Sequence, residues 1–385
     1  MQSVVLNSGL SGKLLATDLM IAELKTVITK QLMPIVRNID AAGEYPHAFM
    51  HQVGAVGGFE QAVPTLYGGS GLGLKGSIQA IEAVSQTCLS TGFITWCQIA
   101  CTWYIQNSEN EYLKQNILPS IAKGERLAGT GLSNPMKHFA GIEKIALTAE
   151  RCAGGYVLNG LLPWVSNVGP GHYFAVAAKM VDGSKDDYLM AIVSDEFKGL
   201  SLRNDAHFIA LEGSNTFSCG FKNVFVPDEF ILAAPCEDYV ARIRPGFILT
   251  QVGMGLGLVA SCIELMKRAN RRLHHVNCFL DDQVGDIEED AQSLRLKTYA
   301  LAEAITAQDS LGNTLLREVI QARIAASELS LRASNAAMLH AGARAYLQGS
   351  VAERKLRESY FVAIVTPALK HLKKMLYGMS EAGLN

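Results

Sequence analysis

Apolar positions recur at helical spacing near the start of the chain. Leu14, Leu15, Leu19, Ile21, Leu24, Val27, Ile28, Leu32, Ile35 and Val36 predict an amphipathic helix over residues 12–42. Pro34 falls inside that run and is expected to kink or divide it. After a loop over residues 40–46, further helices are predicted over 47–59, 77–87, 92–106 and 109–124. From about Arg126 the texture changes to short β-branched runs punctuated by glycine and aspartate. Residues 173–178 and 188–193 read as strands joined into a hairpin by a turn over 182–187, and 221–227 reads as another strand. Past Pro245 the helical period returns, predicting helices over 246–275, 286–311, 313–345 and 351–376, with Asn313 as a cap. Antiparallel helices of that length, each apolar on one stripe, pack as a four-helix bundle.

The chain has 385 residues, a length prior of about two to three domains. Hydrophobic residues make up 49% and charged ones 18%, which predicts a compact globular protein. A net charge of −2 supplies no basic field, so nucleic acid is not an expected partner. The eight cysteines include no CxxC pair and read as buried thiols in a reducing compartment. Neither a signal-peptide pattern nor a run of eighteen apolar residues is evident, so the expectation is a cytoplasmic protein with no membrane partner. The glycines of Tyr67-Gly68-Gly69-Ser70-Gly71-Leu72-Gly73 have no strand before them and no Lys-Ser/Thr pair after them. A helix-to-helix loop is the stronger reading than a phosphate loop.

The most informative stretch runs from Leu127 to Asn167. It opens with Ala128-Gly129-Thr130-Gly131-Leu132-Ser133-Asn134-Pro135 and reaches Tyr156-Val157-Leu158-Asn159-Gly160 and Trp164-Val165-Ser166-Asn167. These segments resemble the middle domain of the acyl-CoA dehydrogenase superfamily, where A-x-T-E-P is followed by Y-V-L-N-G and W-I-T-N. Further matches are Tyr67-Gly68-Gly69, Leu211-Glu212-Gly213-Ser214-Asn215-Thr216 (with Glu212 at a usually basic position) and Glu353-Arg354-x-x-Arg357-Glu358. The resemblance covers nearly the whole chain. It implies an α+β, acyl-CoA dehydrogenase-like fold: an N-terminal all-helical domain (1–125), a middle β-barrel-like domain (126–235) and a C-terminal four-helix bundle (236–385). It also implies a homodimer or homotetramer, with the flavin at the subunit boundary.

The implied cofactor is FAD, with FMN possible. A flavin ring needs a flat apolar wall and donors at its polar edge. By resemblance, Trp164 supplies the wall, Ser133 and Ser166 stand where the family has threonines, and Thr130, Gly131, Leu132 and Val165 supply backbone. Arg272, His340 and Gly342 fall at positions that meet the flavin's pyrophosphate and adenosine. The glutamate that takes the α-proton of an acyl thioester in this family falls at Thr366, and its alternative position near Phe247. A threonine hydroxyl is too weak an acid to act as a base near neutral pH unaided. His138, His274, His275, His340 and His371 have no zinc-ligand spacing, so no metal site is expected. Trp164 as a core side chain is the alternative to a flavin wall, whereas for His371, about one turn beyond Thr366, a surface histidine is the stronger reading than one that faces the same cavity.

Three functions remain open on the sequence. A flavin-dependent dehydrogenase of acyl thioesters with an unconventional base stands slightly ahead. A reduced-flavin monooxygenase of the same fold needs no such base. A degenerate subunit packed on an active partner is the third. A flavin reductase or electron-transfer protein is a possible partner. Ile94, Ile99 and Tyr104 are candidates for setting pocket depth.

Overall fold

The computed structural model describes residues 2–181, 187–307 and 312–381, with side chains from residue 15. Helix α1 (Gln2–Val27) passes through a π turn (Ile28–Leu32) and a 3-10 turn (Met33–Ile35) into α2 (Val36–Ala42). Pro34 lies in the 3-10 turn, so the predicted division is where the missing N–H places it. Gly43 closes α2 in the left-handed conformation, its N–H returning to the Asn38 carbonyl. Then come α3 (His47–Ala55), α4 (Leu74–Thr87), α5 (Leu89–Gln106) and the short α6 (Leu118–Ala122). Residues 89–105 of α5 are all buried, as a helix apolar on every side requires. In the glycine-rich loop, the amides of Gly69, Gly71 and Gly73 bond to the carbonyls of Pro64, Val63 and Gln61. They are not free to cradle a phosphate.

The middle region carries β1 (Ala128–Thr130), α7 (Ser133–Phe139), β2 (Leu147–Cys152), β3 (Gly155–Val165), β4 (Tyr173–Met180), β5 (Tyr188–Ser194), β6 (Leu200–Arg203), β7 (Phe217–Pro227) and β8 (Ile231–Ala233). The sheet order is β6-β7-β3-β2-β4-β5-β8, with β1 parallel to β4. Strands β4 and β5 pair antiparallel from Tyr173↔Ser194 to Lys179↔Tyr188, as a hairpin should; turn residues 182–186 lie outside the described residues. Both strands are buried on both faces. Phe174, Val176, Leu189 and Val193 enter the sheet's own core, whereas Ala175, Ala177, Met190 and Ile192 join the helical core. The period of two along a strand thus welds sheet to helices.

The last third holds α8 (Glu237–Thr250), α9 (Val252–Asn277), α10 (Val284–Ala307), α11 (Asn313–Ala341), α12 (Val351–Ile364) and α13 (Leu369–Glu381). Three expectations need correcting. The helix expected after Pro245 begins at Glu237 and keeps Pro245 inside; Glu237 and Asp238 in its first turn favour that earlier start. The helix expected over 351–376 breaks before Pro367, consistent with the bias of a pre-proline residue against helix. Gly312, not Asn313, occupies the cap of α11; residues 308–311 lie outside the described set. The helical stretch Glu237–Asn277 is long and apolar enough to cross a membrane by composition, but 89% of its apolar window is buried inside the protein. Cys278 is exposed, contrary to the expectation for the cysteines.

Candidate functional site

A cavity of about 380 Å³ lies where the sheet meets the helices. Strand-side residues Thr130, Ser133, Lys137, Trp164, Ser166 and Thr216 form one wall. Phe93 and Trp96 of α5, Phe247 of α8, Tyr360, Phe361 and Ile364 of α12, and Val365 and Thr366 just after it form the other. Five residues that the sequence singled out, Thr130, Ser133, Trp164, Ser166 and Thr366, therefore share one space.

Two loops are locked together at its base. Thr130 and Ser166 exchange backbone hydrogen bonds at 3.2 and 3.3 Å. A Cβ at Gly129 would sit 2.0 Å from the Ser166 carbonyl oxygen, so only glycine permits that approach. The Gly131 N–H donates to Ala175 at 2.8 Å, and the Leu132 N–H faces Thr130 Oγ1 at 3.4 Å. Gly131, Leu132 and Val165 are the residues expected to present backbone to a cofactor ring. The first two amides are turned into the protein, Val165 is fully buried, and none of the three lines the cavity.

The polar groups on the wall are mostly hydroxyls, tied to one another. Thr216 Oγ1 donates to Ser166 Oγ at 2.9 Å, Tyr104 OH meets Thr130 Oγ1 at 3.2 Å, and Ser133 Oγ meets Thr366 Oγ1 at 3.0 Å. Trp164 is 49% exposed, with Lys137 Nζ 5.7 Å from its ring centroid. It is not a core tryptophan. Among the described lining residues there is no Asp, Glu, His or Cys; the charged ones are Lys137 and Arg357.

Behind Thr366 lies a buried cation. Gln251 Nε2 donates to the Thr366 carbonyl at 2.9 Å, and Gln251 Oε1 accepts from Arg323 Nε at 3.0 Å. Arg323 Nη2 donates to the Val362 carbonyl at 2.5 Å. No carboxylate pairs with this fully buried guanidinium among the described residues, and burial pushes its pKa down to about 9. Arg323 thus ties the end of α12 directly, and through Gln251 it is linked to the turn that bears Thr366.

The mouth is formed by Phe208, Ile209, Ala210 and Leu211, which sequence reasoning missed because the segment has no period. Its one signal was Glu212, whose carboxylate accepts the Phe208 N–H. Arg357 Nη1 donates to the Ile209 carbonyl at 2.7 Å while the same guanidinium grips Asp40 at 2.9 and 2.7 Å and also pairs with Glu353. Those carboxylates hold its pKa above the usual arginine range. Ile94, Ile99 and Tyr104 do not line the cavity; their helix turns Phe93 and Trp96 toward it instead.

The other predicted cofactor residues lie elsewhere. Arg272 is exposed near the end of α9. His340 is buried, with Nδ1 3.0 Å from Asn270 Oδ1 and Nε2 2.9 Å from the Asp282 carbonyl, so both ring nitrogens are engaged. Gly342 follows the end of α11 at φ 61°. From Arg323, which touches Val362 near the end of α12, to His340 is a run of about 25 Å along α11 at 1.5 Å per residue. One copy of the chain does not bring Arg272, His340 and Gly342 to the cavity. His371 is buried rather than superficial, and lines a second, smaller cavity.

Comparison with known proteins places this architecture. Residues 16–125 match the family model described as Acyl-CoA dehydrogenase, N-terminal domain. The chain is 25% identical over 382 residues to glutaryl-CoA dehydrogenase of Desulfococcus multivorans, covering 94% of this chain and 95% of the relative. Butyryl-CoA dehydrogenase from Megasphaera elsdenii superposes with a TM-score of 0.84 at 18% identity, over 95% of this chain and 98% of that one. KijD3 in complex with FMN and a dTDP-amino-keto sugar superposes with a TM-score of 0.81 at 18% identity, over 96% and 94%. Residues 16–125 thus carry the N-terminal domain of the acyl-CoA dehydrogenase family, and the chain as a whole has the acyl-CoA dehydrogenase fold.

Proposed function

We propose that the cavity between Trp164 and Thr366 holds a flavin ring and that the protein is a flavin-dependent oxidoreductase acting on an apolar organic group. The carrying observation is Trp164, a large indole left 49% exposed on the wall of a cavity ringed by hydroxyls. A flat apolar face beside hydroxyl donors is what a flavin ring needs, so these residues fit the ring. They do not fit the nucleotide half of FAD within one chain. Arg272, His340 and Gly342 could reach that half only from a second copy, and FMN needs none of them.

A bound flavin supplies the electron-accepting ring. The chain's own residues orient and enclose it. Trp164 forms the flat face, Ser166 and Thr216 offer hydroxyls at one edge, and Ser133 and Thr366 meet opposite. Phe93, Trp96, Phe247 and Phe361 exclude water from the substrate side.

The absence of a carboxylate, imidazole or thiol on the described wall bears on the reaction. Removing an α-proton from an acyl thioester needs a base poised by its surroundings, and the wall offers none. That favours the reduced-flavin monooxygenase reading over the dehydrogenase. The dehydrogenase keeps support from the relatives' names, glutaryl-CoA dehydrogenase among them. An anaerobic half-reaction separates the two. Bleaching of bound oxidised flavin by butyryl-CoA or longer acyl-CoA thioesters supports the dehydrogenase. No bleaching by any thioester, with preferential binding of reduced flavin, supports the monooxygenase. Failure to bind FAD or FMN in either redox state contradicts both.

A further inference from the structure

Beside the flavin-sized cavity lies a second of about 90 Å³, lined by Met136, Phe139, Arg244, Phe247, Pro367 and His371 among others. Phe247 belongs to both, and Pro367 adjoins Thr366, so the smaller space sits immediately behind the substrate wall. Its surface is apolar except for two groups. Arg244, in the middle of α8, makes no hydrogen bond or ion pair with any described residue, and burial lowers its pKa. His371 is 4% exposed; its Nδ1 is buried without a hydrogen-bond partner, and neither ring nitrogen bonds to a described residue.

The charged groups that act on His371 are all cations: after burial itself, Lys374, Arg244 and Lys137 disfavour its protonation. Lys374 Nζ is committed to the Ala140 carbonyl at 2.5 Å, and Lys137 lies 3.6 Å from Glu143 and over the Trp164 ring. Arg244 alone among the three is unspent, and no Asp or Glu lines the cavity. A partly buried guanidinium without a counter-charge is costly unless an anion completes it. A planar guanidinium fork matches a planar carboxylate in two parallel hydrogen bonds, and a space this small with a single arginine suits that group better than a phosphate.

We propose that this cavity is a carboxylate-binding pocket, in which Arg244 pairs with the carboxylate of a small organic acid and His371 is the other polar group of the lining. The carboxylate is either the free end of the substrate or a separate small acid. The pocket stands independently of whether the larger cavity holds flavin.

The test is a titration of the protein as purified, without added flavin, with acetate and with glutarate against chloride at equal ionic strength, read by thermal unfolding and by the His371 imidazole resonance. Saturable stabilisation is expected, with the His371 resonance titrating at higher pH when the pocket is filled. Arg244→Met, which removes an unpaired charge and should fold, is expected to weaken binding about tenfold or more. Arg244→Lys, which keeps the charge and loses the fork, should fall between. Glutaryl-CoA and butyryl-CoA then distinguish the source. An Arg244-dependent preference for glutaryl-CoA assigns the pocket to the substrate's own carboxylate. Arg244-dependent binding of the free acids alone assigns it to a separate acid. No saturable effect in the wild type, or an equal effect in Arg244→Met, overturns the proposal. Flavin affinity measured in parallel shows whether the larger site has failed as well.

Discussion

Ser133 and Thr366, 233 positions apart in sequence, meet through their hydroxyls at 3.0 Å across the seam between the sheet and the last helices. Thr366 stands where the resemblance implies a glutamate, so this contact replaces a base with a neutral hydroxyl pair. Restoring the carboxylate tests the alignment. Thr366→Glu is expected to raise exchange of the α-protons of butyryl-CoA with solvent deuterium by ~10²-fold, the lower end of what a positioned general base contributes. No gain in a folded variant that still binds flavin would show that the turn after α12 does not face a substrate α-carbon.

Arg357 spans three elements, holding Asp40 of α2, Glu353 of α12 and the Ile209 carbonyl at the cavity mouth. Asp40 keeps 12% side-chain exposure. Arg357→Gln leaves that carboxylate without its bidentate partner, and a loss of about 2 kcal/mol is expected. Urea unfolding should report the loss, and limited proteolysis should cut faster at residues 204–211. Unchanged stability would mean that the bridge is not formed in solution.

Burial first, and then the cations Lys374, Arg244 and Lys137, push the His371 pKa down to about 4. An unfolded chain titrates near 6.5, so between those values it binds the proton that the folded protein refuses. Stability from this group is complete above about pH 6.5 and is lost as the pH falls toward about 4, by up to about 3 kcal/mol. His371→Gln should flatten that part of the stability curve between pH 7 and 5. An identical slope in the variant would contradict the account.

Arg323 carries its charge into the bundle core without a carboxylate, making hydrogen bonds with Gln251 and to the Val362 carbonyl. Arg323→Met exchanges a buried cation for an apolar side chain, a change often neutral or stabilising by ~1–4 kcal/mol where the whole charged group is replaced. The expected result is an unchanged or higher midpoint of thermal unfolding, with weaker flavin binding because Gln251, which holds the Thr366 carbonyl, loses its own anchor and α12 loses its tie at Val362. A large drop in stability with intact flavin affinity would make Arg323 a purely structural residue.

The architecture was legible where the pattern was strong. Helix α5, apolar on every side, and strands β4 and β5, apolar on both faces, could only be interior. The loops bearing Thr130, Ser133, Trp164 and Ser166 were legible because they carry family motifs, and the structure gathers them. What the sequence hid was of two kinds. The 208–211 wall has no period, and its fixing contacts, Arg357 to Ile209 and Glu212 to Phe208, depend on tertiary placement. Amide direction was equally invisible. Nothing in Thr130-Gly131-Leu132 says that these N–H groups turn toward Ser166, Ala175 and a side chain rather than outward. The placement of His340 and Gly342 away from the cavity follows from the length of α11, and that of Arg272 from the length of α9.

The central claim is that Trp164 faces a flavin ring, and Trp164 itself can report it. Titrating flavin-free protein with oxidised and reduced FAD and FMN should quench the emission of both tryptophans that line the cavity, Trp164 and Trp96. Trp164→Phe should remove the Trp164 share of that quench and leave the Trp96 share while keeping binding, and Trp164→Ala should weaken affinity about tenfold with little loss of stability, since the side chain is half exposed. Flavin binding that leaves the emission of Trp164 unchanged, or Trp164→Ala protein that binds as tightly as the wild type, would contradict the assignment.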